Sequence, residues 1–153
     1  MLTRLKKSDL ALGHFKRALK IRQKALGDGH PTVAATLLSI GRVHHDAKRE
    51  AEALVAYNKA LEYREAKHGP NHPGVASVFS AIGELYLQQG KSNEALAFHQ
   101  KAMKIRTIKL AHDHPDIAYT HHFLGETYTK LGRHEVRRYT VIPSRHYVVI
   151  VVL

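Results

Sequence analysis

The sequence predicts an all-α fold in which antiparallel helix pairs stack side by side into a superhelix. Two observations predict this fold: many residues recur at a step of 42, and each repeat holds two stretches with the periodicity of an amphipathic helix. The step is clearest in the dipeptide His-Pro, which occurs at residues 30–31, 72–73 and 114–115. One such unit cannot bury its own apolar face, so successive units are expected to stack.

The first stretch of each unit, helix A, begins at the proline of this dipeptide. Proline suits the first helical position because its φ angle is fixed there and its missing N–H would have no partner. The preceding histidine stands at the N-cap, and we expect its side chain to cap the helix. Apolar residues then follow at steps of three and four, as at Val33, Leu37 and Ile40 in the first unit.

The second stretch, helix B, alternates small and larger residues at helical spacing, as at Ala53, Tyr57 and Ala60. Small residues recur on both helices of a pair and predict a close approach between them. They are Gly41, Gly83 and Gly125 on helix A and Ala18, Ala60 and Ala102 on helix B. Glycine at residues 27, 69, 90 and 132 suits the turns, whereas Lys48 replaces the glycine of its turn and predicts local strain.

Composition narrows the class of protein further. The chain has 153 residues, a formal net charge of +11, 13 histidines and no cysteine. Without cysteine there is no disulfide framework, no thiolate zinc site and no cysteine nucleophile. The longest apolar run, at residues 147–153, is far shorter than the roughly 20 residues that span a bilayer. We therefore expect a soluble, cytoplasmic protein with no membrane association, whose charge favours an acidic partner.

In the order of its small, large and aromatic residues the sequence resembles tetratricopeptide repeats of the longer, kinesin light chain-like type. The resemblance rests on Leu37, Ile40, Gly41 and Tyr57, on their counterparts 42 residues later, and on the linker Gly-x-x-His-Pro-x-Val-Ala. It covers residues 2–134. It implies a right-handed superhelix, an α-solenoid whose concave face is lined by helix A, and a protein-binding role.

The repeat pattern divides the chain into two predicted regions. Residues 1–134 form a repeat array of one partial repeat, two full repeats and a final helix A, and residues 135–153 form a non-repeat basic and apolar tail. The 42-residue step sets Leu2 opposite His44, so the chain is expected to begin inside the last turn of a helix A. We interpret it as a piece of a longer array. The alternative is a tail that pairs with a partner's sheet or docks on the exposed face of the last helix A.

No motif for catalysis or cofactor binding is present, so we expect no enzyme, no cofactor and no metal. His112, His114 and His121 lie close enough in sequence to suggest a metal site. However, His114 is a linker residue of every unit and His121 takes a core position, which favours structural roles. Protonation of all 13 histidines would add to the net charge of +11, which predicts a weaker array at mildly acidic pH.

The resemblance places the binding surface in the concave groove, on the side of helix A opposite its core stripe. There Leu38, Leu87 and Tyr119 are expected to anchor a partner, and Arg42 and Lys130 to pair with acidic residues. The complete predicted groove set is Leu38, Ser39, Arg42, His45, Ser77, Ser80, Glu84, Leu87, Tyr119, His122, Glu126 and Lys130.

The predicted function is a non-enzymatic scaffold that binds a peptide segment of a partner protein along this groove. One alternative is electrostatic binding of nucleic acid by the basic residues of helix B, which is disfavoured because few aromatic platforms accompany them. Another is an inactive fragment of a larger repeat protein. The oligomeric state is left open by the sequence.

Overall fold

The computed structural model describes residues 2–132 and, within them, the side chains from residue 6 onward. It contains six helices in this range: α1 (Leu2–Leu26), α2 (Pro31–Asp46), α3 (Glu50–His68), α4 (Pro73–Gln88), α5 (Ser92–Lys109) and α6 (Pro115–Lys130). No strand occurs among the described residues, and the all-α prediction is confirmed. The predicted tail, residues 135–153, lies outside the described residues.

The helices alternate between the two predicted types, with α2, α4 and α6 as helix A and α1, α3 and α5 as helix B. Consecutive helices pack against each other along the chain. The backbone of each helix A also lies close to that of the next helix A, so α4 approaches both α2 and α6, whereas within residues 2–132 the backbones of α1 and α3, and of α3 and α5, do not approach as closely. The layer of helices A is therefore the tighter one and forms the inner side of the stack.

Each helix A begins as the sequence predicts. Pro31, Pro73 and Pro115 occupy the first turn, and the preceding histidine has an extended backbone. Its Nδ1 accepts a hydrogen bond from the backbone N–H two residues on, at 3.3 Å for His30 and 3.0 Å for His72. Because Nδ1 accepts, the ring proton lies on Nε2. The predicted capping role of the linker histidines is confirmed.

The turns between helices also follow the predicted pattern. Gly27, Gly69, Gly90 and Gly132 all have positive φ. Lys48 takes the same left-handed conformation at φ 61°, which disfavours any residue with a Cβ, so the expected strain in the first A–B turn is present. The linker before α6 differs, because α5 ends at Leu110 with an extended backbone instead of a glycine.

One expectation about the first helix is wrong. The 42-residue register assigned the first residues to the last turn of a helix A, but α1 runs without a break from Leu2 to Leu26. Lys6 stands where Lys48 and Gly90 make left-handed turns, and here it stays helical. A lysine prefers the right-handed helix, and the only helix whose backbone approaches that of α1 within residues 2–132 is α2.

Glycine fixes the spacing inside each helix pair. A Cβ built on Gly41 would lie 2.4 Å from ring atoms of Tyr57, and one on Gly83 would lie 2.6 Å from the ring of His99. Each ring therefore sits directly on the backbone of its partner helix, as the small-residue pattern predicted. Around the first contact the largest apolar cluster joins α2, α3 and α4, with Val33, Leu37, Ile82 and Leu85 among its buried members.

Candidate functional site

A cleft of about 540 Å³ opens on the inner side of the stack, where α2, α4 and α6 converge. Six of the predicted groove residues line it: Arg42, His45, Ser77, Ser80, Glu84 and Tyr119. Others come from positions that the sequence did not assign to the groove, above all Tyr57 of α3 and Arg106 of α5. The cleft is thus built from both helix types: helix A forms the walls and part of the floor, and Tyr57 and Arg106 of helix B complete the floor.

Arg106 forms the centre of the floor and is 2% exposed. Its Nη1 donates to Ser80 Oγ at 2.9 Å and to Thr120 Oγ1, and Nη2 lies 3.6 Å from Asp116 Oδ2. Burial lowers the pKa of the guanidinium and Asp116 opposes that shift. These bonds join α5 to α4 and α6, so Arg106 holds the three helices in position around the cleft.

The arginines at the equivalent repeat positions explain why the sequence did not assign Arg106 to the groove. Arg22, Arg64 and Arg106 keep the 42-residue step, and each donates to the helix A that follows it. Arg22 bonds the hydroxyl of Thr36, and Arg64 bonds the carbonyl of Gly74. The recurrence was visible in the sequence. It indicated a structural role in every unit and did not show that Arg106 also lines the cleft between α2, α4 and α6.

Three polar atoms of the floor have no hydrogen-bond partner among the described residues. They are Arg106 Nε, the Tyr57 hydroxyl and His45 Nε2, and the three side chains are all more than nine-tenths buried. Burial raises the pKa of Tyr57 and Glu84 adds to the shift, so the hydroxyl keeps its proton. A buried polar atom without a partner is costly, and a ligand that supplies the partner is favoured accordingly.

The rim of the cleft is charged and accessible. The Tyr119 hydroxyl donates to Glu84 Oε1 at 2.6 Å, and burial together with this bond raises the pKa of Tyr119. Arg42 is exposed and forms no hydrogen bond or ion pair within residues 2–132. Asp46, one turn later on α2, is also exposed at the rim. An incoming group thus meets one available cation and several carboxylates.

The prediction that Leu38 and Leu87 are exposed anchors is wrong. Leu38 is 8% exposed and belongs to the apolar cluster around Tyr57, and Leu87 is 3% exposed. Both lie about one turn from the glycine of their helix that contacts the ring of helix B. Of the three proposed anchors, only Tyr119 is exposed, at 39%.

The remaining predicted groove residues are divided between buried and peripheral positions. His45 and Ser80 are buried in the floor of the cleft, contrary to the expectation of an open face, because neighbouring helices cover them. The Ser39 hydroxyl donates a hydrogen bond to the Ala35 carbonyl of its own helix at 3.1 Å. His122, Glu126 and Lys130 lie outside the cleft, and Lys130 Nζ lies 3.5 Å from Glu126 Oε1, so this lysine already has an acidic partner.

On the outer, basic side of the stack the aromatic rings pack against lysine side chains and against one another. Lys101 Nζ lies 5.1 Å from the centroid of Phe98 and 5.7 Å from that of Phe79. Phe98 also stacks on Tyr86. These rings are partly buried against one another, which leaves little aromatic surface for stacked bases.

Two further properties of the described residues bear on function. No three side chains of His, Asp or Glu within residues 2–132 are grouped as ligands for one metal ion, and His114 is engaged as a helix cap. None of the six helices combines the length and apolar character needed to cross a bilayer.

Comparison with known proteins supports the fold. The model of the tetratricopeptide repeat family matches residues 1–66 and 51–108. Among solved structures, BtubC (BKLC) from P. vanneervenii is 25% identical with a TM-score of 0.75, over 83% of this chain and 51% of that one. A Podosopora anserina protein assigned as a kinesin light chain, with nearly identical TPR-like repeats, is 19% identical with a TM-score of 0.71, over 84% of this chain and 61% of that one.

The present chain therefore spans about half the length of the first of these relatives and less than two thirds of the second. A search of curated protein sequences finds no match.

Proposed function

The chain belongs to the tetratricopeptide repeat family, whose members generally mediate protein–protein interaction, and we propose that it is a non-enzymatic scaffold that binds a peptide of a partner protein. The binding site in this proposal is the cleft between α2, α4 and α6. The observation that supports it most is the floor, where Arg106, Tyr57 and His45 line the cleft and each carries a buried polar atom without a partner among the described residues. A cytoplasmic location, which the sequence favours, is part of the proposal.

The charges that line the cleft narrow the charge pattern expected of the bound peptide. The sequence predicted two cations, Arg42 and Lys130, that would pair with acidic residues of a partner. Lys130 is already paired with Glu126, so Arg42 is the one that remains available. Asp46, Glu84 and Asp116 also line the cleft, and a second acidic residue would be repelled by them. We therefore propose a peptide that is acidic only beside Arg42 and presents uncharged hydrogen-bonding groups to the floor.

Selection from a displayed random peptide library tests this function, with the full chain immobilised and selected peptides measured by titration. We expect Arg42→Ala to weaken the selected peptides about tenfold, since a charge-assisted contact is lost. Arg17→Ala is the matched control, because Arg17 is also exposed and lies on α1, away from the cleft. Equal affinity of wild type and Arg42→Ala, or failure to enrich any peptide, would contradict the proposal.

The nucleic-acid alternative receives less support, because the rings of Phe79, Phe98 and Tyr86 are packed under lysines of the same surface. Such binding would be purely electrostatic and would fall steeply as salt is added. Gel-shift titration at two salt concentrations separates it from binding in the cleft.

A further inference from the structure

The cleft between α2, α4 and α6 holds two carboxylates that lack a cation. Asp46 and Glu84 both line it, and neither forms an ion pair within residues 2–132. The third carboxylate of the cleft, Asp116, lies 3.6 Å from Arg106. Two arginines and three carboxylates thus line the cleft, although the whole chain has a formal net charge of +11. The cleft is a locally negative site on a basic protein.

Tyr57 brings the two carboxylates together at one end of the cleft. Its ring lies on the backbone of α2, where Cζ, the atom that carries the hydroxyl, is 3.2 Å from a Cβ built on Gly41. Burial raises the pKa of Tyr57, and Glu84 and Asp46 both add to the shift, so both carboxylates lie near this hydroxyl. The hydroxyl is buried and has no hydrogen-bond partner in the described part of the chain. We call Asp46, Tyr57 and Glu84 the acceptor cluster.

The contacts already present leave the acceptor cluster open. The Tyr119 hydroxyl donates to Glu84 Oε1 at 2.6 Å, and no described residue donates to Oε2. Lys48, two residues beyond Asp46, donates to Gln88 Oε1 at 2.8 Å instead. The lysines and arginines of residues 6–132 therefore do not supply the cation that this cluster lacks.

The next unit shows how a carboxylate at this repeat position is neutralised. Glu126 stands 42 residues after Glu84, and Lys130 Nζ lies 3.5 Å from Glu126 Oε1. The same ammonium lies 3.5 Å from the backbone oxygen of Leu87 on α4. The counterpart of Lys130 on α4 is Gln88, which carries no charge. Glu84 thus lacks the lysine that its counterpart possesses.

We propose that a primary ammonium of the bound peptide, from a lysine side chain or a free N-terminus, occupies the acceptor cluster. The proposal rests on the proposed function, because it requires a peptide in the cleft. An ammonium has three N–H donors, which match the carboxylates of Asp46 and Glu84 and the hydroxyl of Tyr57. The floor around Arg106 still receives uncharged groups. The expected peptide therefore carries an ammonium close to the acidic residue that pairs with Arg42.

The net charge of the chain does not prevent this contact. Two of the 24 lysines and arginines line the cleft. At physiological salt the field of charges farther away than about 8 Å is largely screened, whereas groups in direct contact with the ammonium still attract it. The carboxylates of the acceptor cluster therefore decide whether a cation is held.

Removal of charge from the selected peptides is the test. Peptides from the displayed library described above are synthesised with each lysine replaced in turn by Nε-acetyl-lysine, and with a free or an acetylated N-terminus. One of these changes is expected to weaken binding to the full chain about tenfold, because acetylation removes the positive charge and keeps the rest of the side chain. The change that has this effect identifies the source of the ammonium.

Variants of the chain locate the ammonium in the cleft. Asp46→Asn and Glu84→Gln remove one charge each at constant size, and each is expected to weaken the unmodified peptide about threefold. Each should also reduce the effect of acetylation by the same factor, because the ammonium then has one carboxylate fewer. Asp113→Asn and Glu62→Gln are the matched controls, since both residues are exposed and lie outside the cleft. Thermal melting checks that all four variants fold.

The possible results separate this proposal from the proposed function. Peptides that need Arg42 but keep their affinity when every ammonium is acetylated would preserve binding in the cleft and overturn the ammonium. An effect of acetylation that is equally large in the wild type, Asp46→Asn and Glu84→Gln would also overturn it, because the ammonium would bind elsewhere. A library that enriches no peptide would contradict the proposed function, and this proposal with it.

Discussion

The two complete helix pairs place different rings in the same position, and the difference separates what the repeat fixes from what it leaves free. In α2 and α3 the ring over glycine is Tyr57, and in α4 and α5 it is His99. Tyr57 lines the cleft. His99 is enclosed instead, with its ring stacked on Phe123 at 5.4 Å and no hydrogen-bond partner for either nitrogen among the described residues. The backbone geometry depends on a flat ring against glycine, whereas the polar atom of that ring varies with its surroundings.

The largest effect is expected from filling the glycine contacts of both pairs. Gly41→Ala and Gly83→Ala force a methyl group into the ring of Tyr57 or His99, and each should lower the free energy of unfolding by about 2 to 3 kcal/mol. Gly125→Ala meets no atom and should raise it by up to about 1 kcal/mol, because alanine favours the helix. Urea unfolding at low protein concentration measures all three. Similar losses at Gly41, Gly83 and Gly125 would show that the ring contact is not what requires glycine.

An intermediate effect on stability is expected from substituting the arginines that recur at the 42-residue step. Arg106→Ala should lower the free energy of unfolding by about 2 kcal/mol, because it leaves the buried hydroxyls of Ser80 and Thr120 without their donor. Arg22→Ala should cost about 0.5 kcal/mol, since Arg22 is exposed. Thermal melting of the two variants provides the comparison, and an Arg22→Ala loss as large as that of Arg106→Ala would contradict it.

The smallest effect is a dependence of stability on pH that His99 contributes and that Tyr57, at the same repeat position, does not. Burial lowers the pKa of His99 to about 4, with Glu126 opposing and Arg106 adding to the shift. Between this value and the unfolded pKa of 6.5 the unfolded chain binds the extra proton, so the folded state loses stability as the pH falls through that window. The loss from His99 at pH 5.5 should be about 1 kcal/mol.

Unfolding measured at pH 7.5 and pH 5.5 tests this, with His99→Phe as the comparison variant. The variant should show a smaller difference between the two pH values than the wild type. An unchanged difference would assign the pH dependence to other histidines, such as His44 and His121, whose pKa values are also lowered by burial. The acid sensitivity that the 13 histidines predict stays a prediction, and we expect it to come mainly from those that the packing encloses.

The sequence predicted the array better than it predicted the site. Helix pairs, proline starts, histidine caps and the left-handed turn at Lys48 all follow from local rules that act within a few residues. The exposure of Leu38 and Leu87 was predicted incorrectly because periodicity identifies the centre of a buried stripe but not its width. Helix A is covered by helices on more than one side, so its buried arc is wider than a single stripe.

The contribution of helix B to the floor of the cleft was missed for a different reason. Tyr57 and Arg106 belong to helix B and carry core or repeat signatures, and no pattern in one helix shows that a side chain extends past its neighbour into a space lined by three others. The polar floor arises from packing between units. The sequence predicted six of the residues that line the cleft, while the depth of the cleft depended on contacts between distant parts of the chain.

The restriction of contacts to neighbouring helices has a consequence for how the molecule folds and opens. Within residues 2–132 no helix touches another more than two places away along the chain. Structure can therefore nucleate in one unit and spread to the next without first closing a long loop, which favours rapid folding. The same architecture predicts slow amide hydrogen exchange in α4, because this helix contacts α2, α3, α5 and α6.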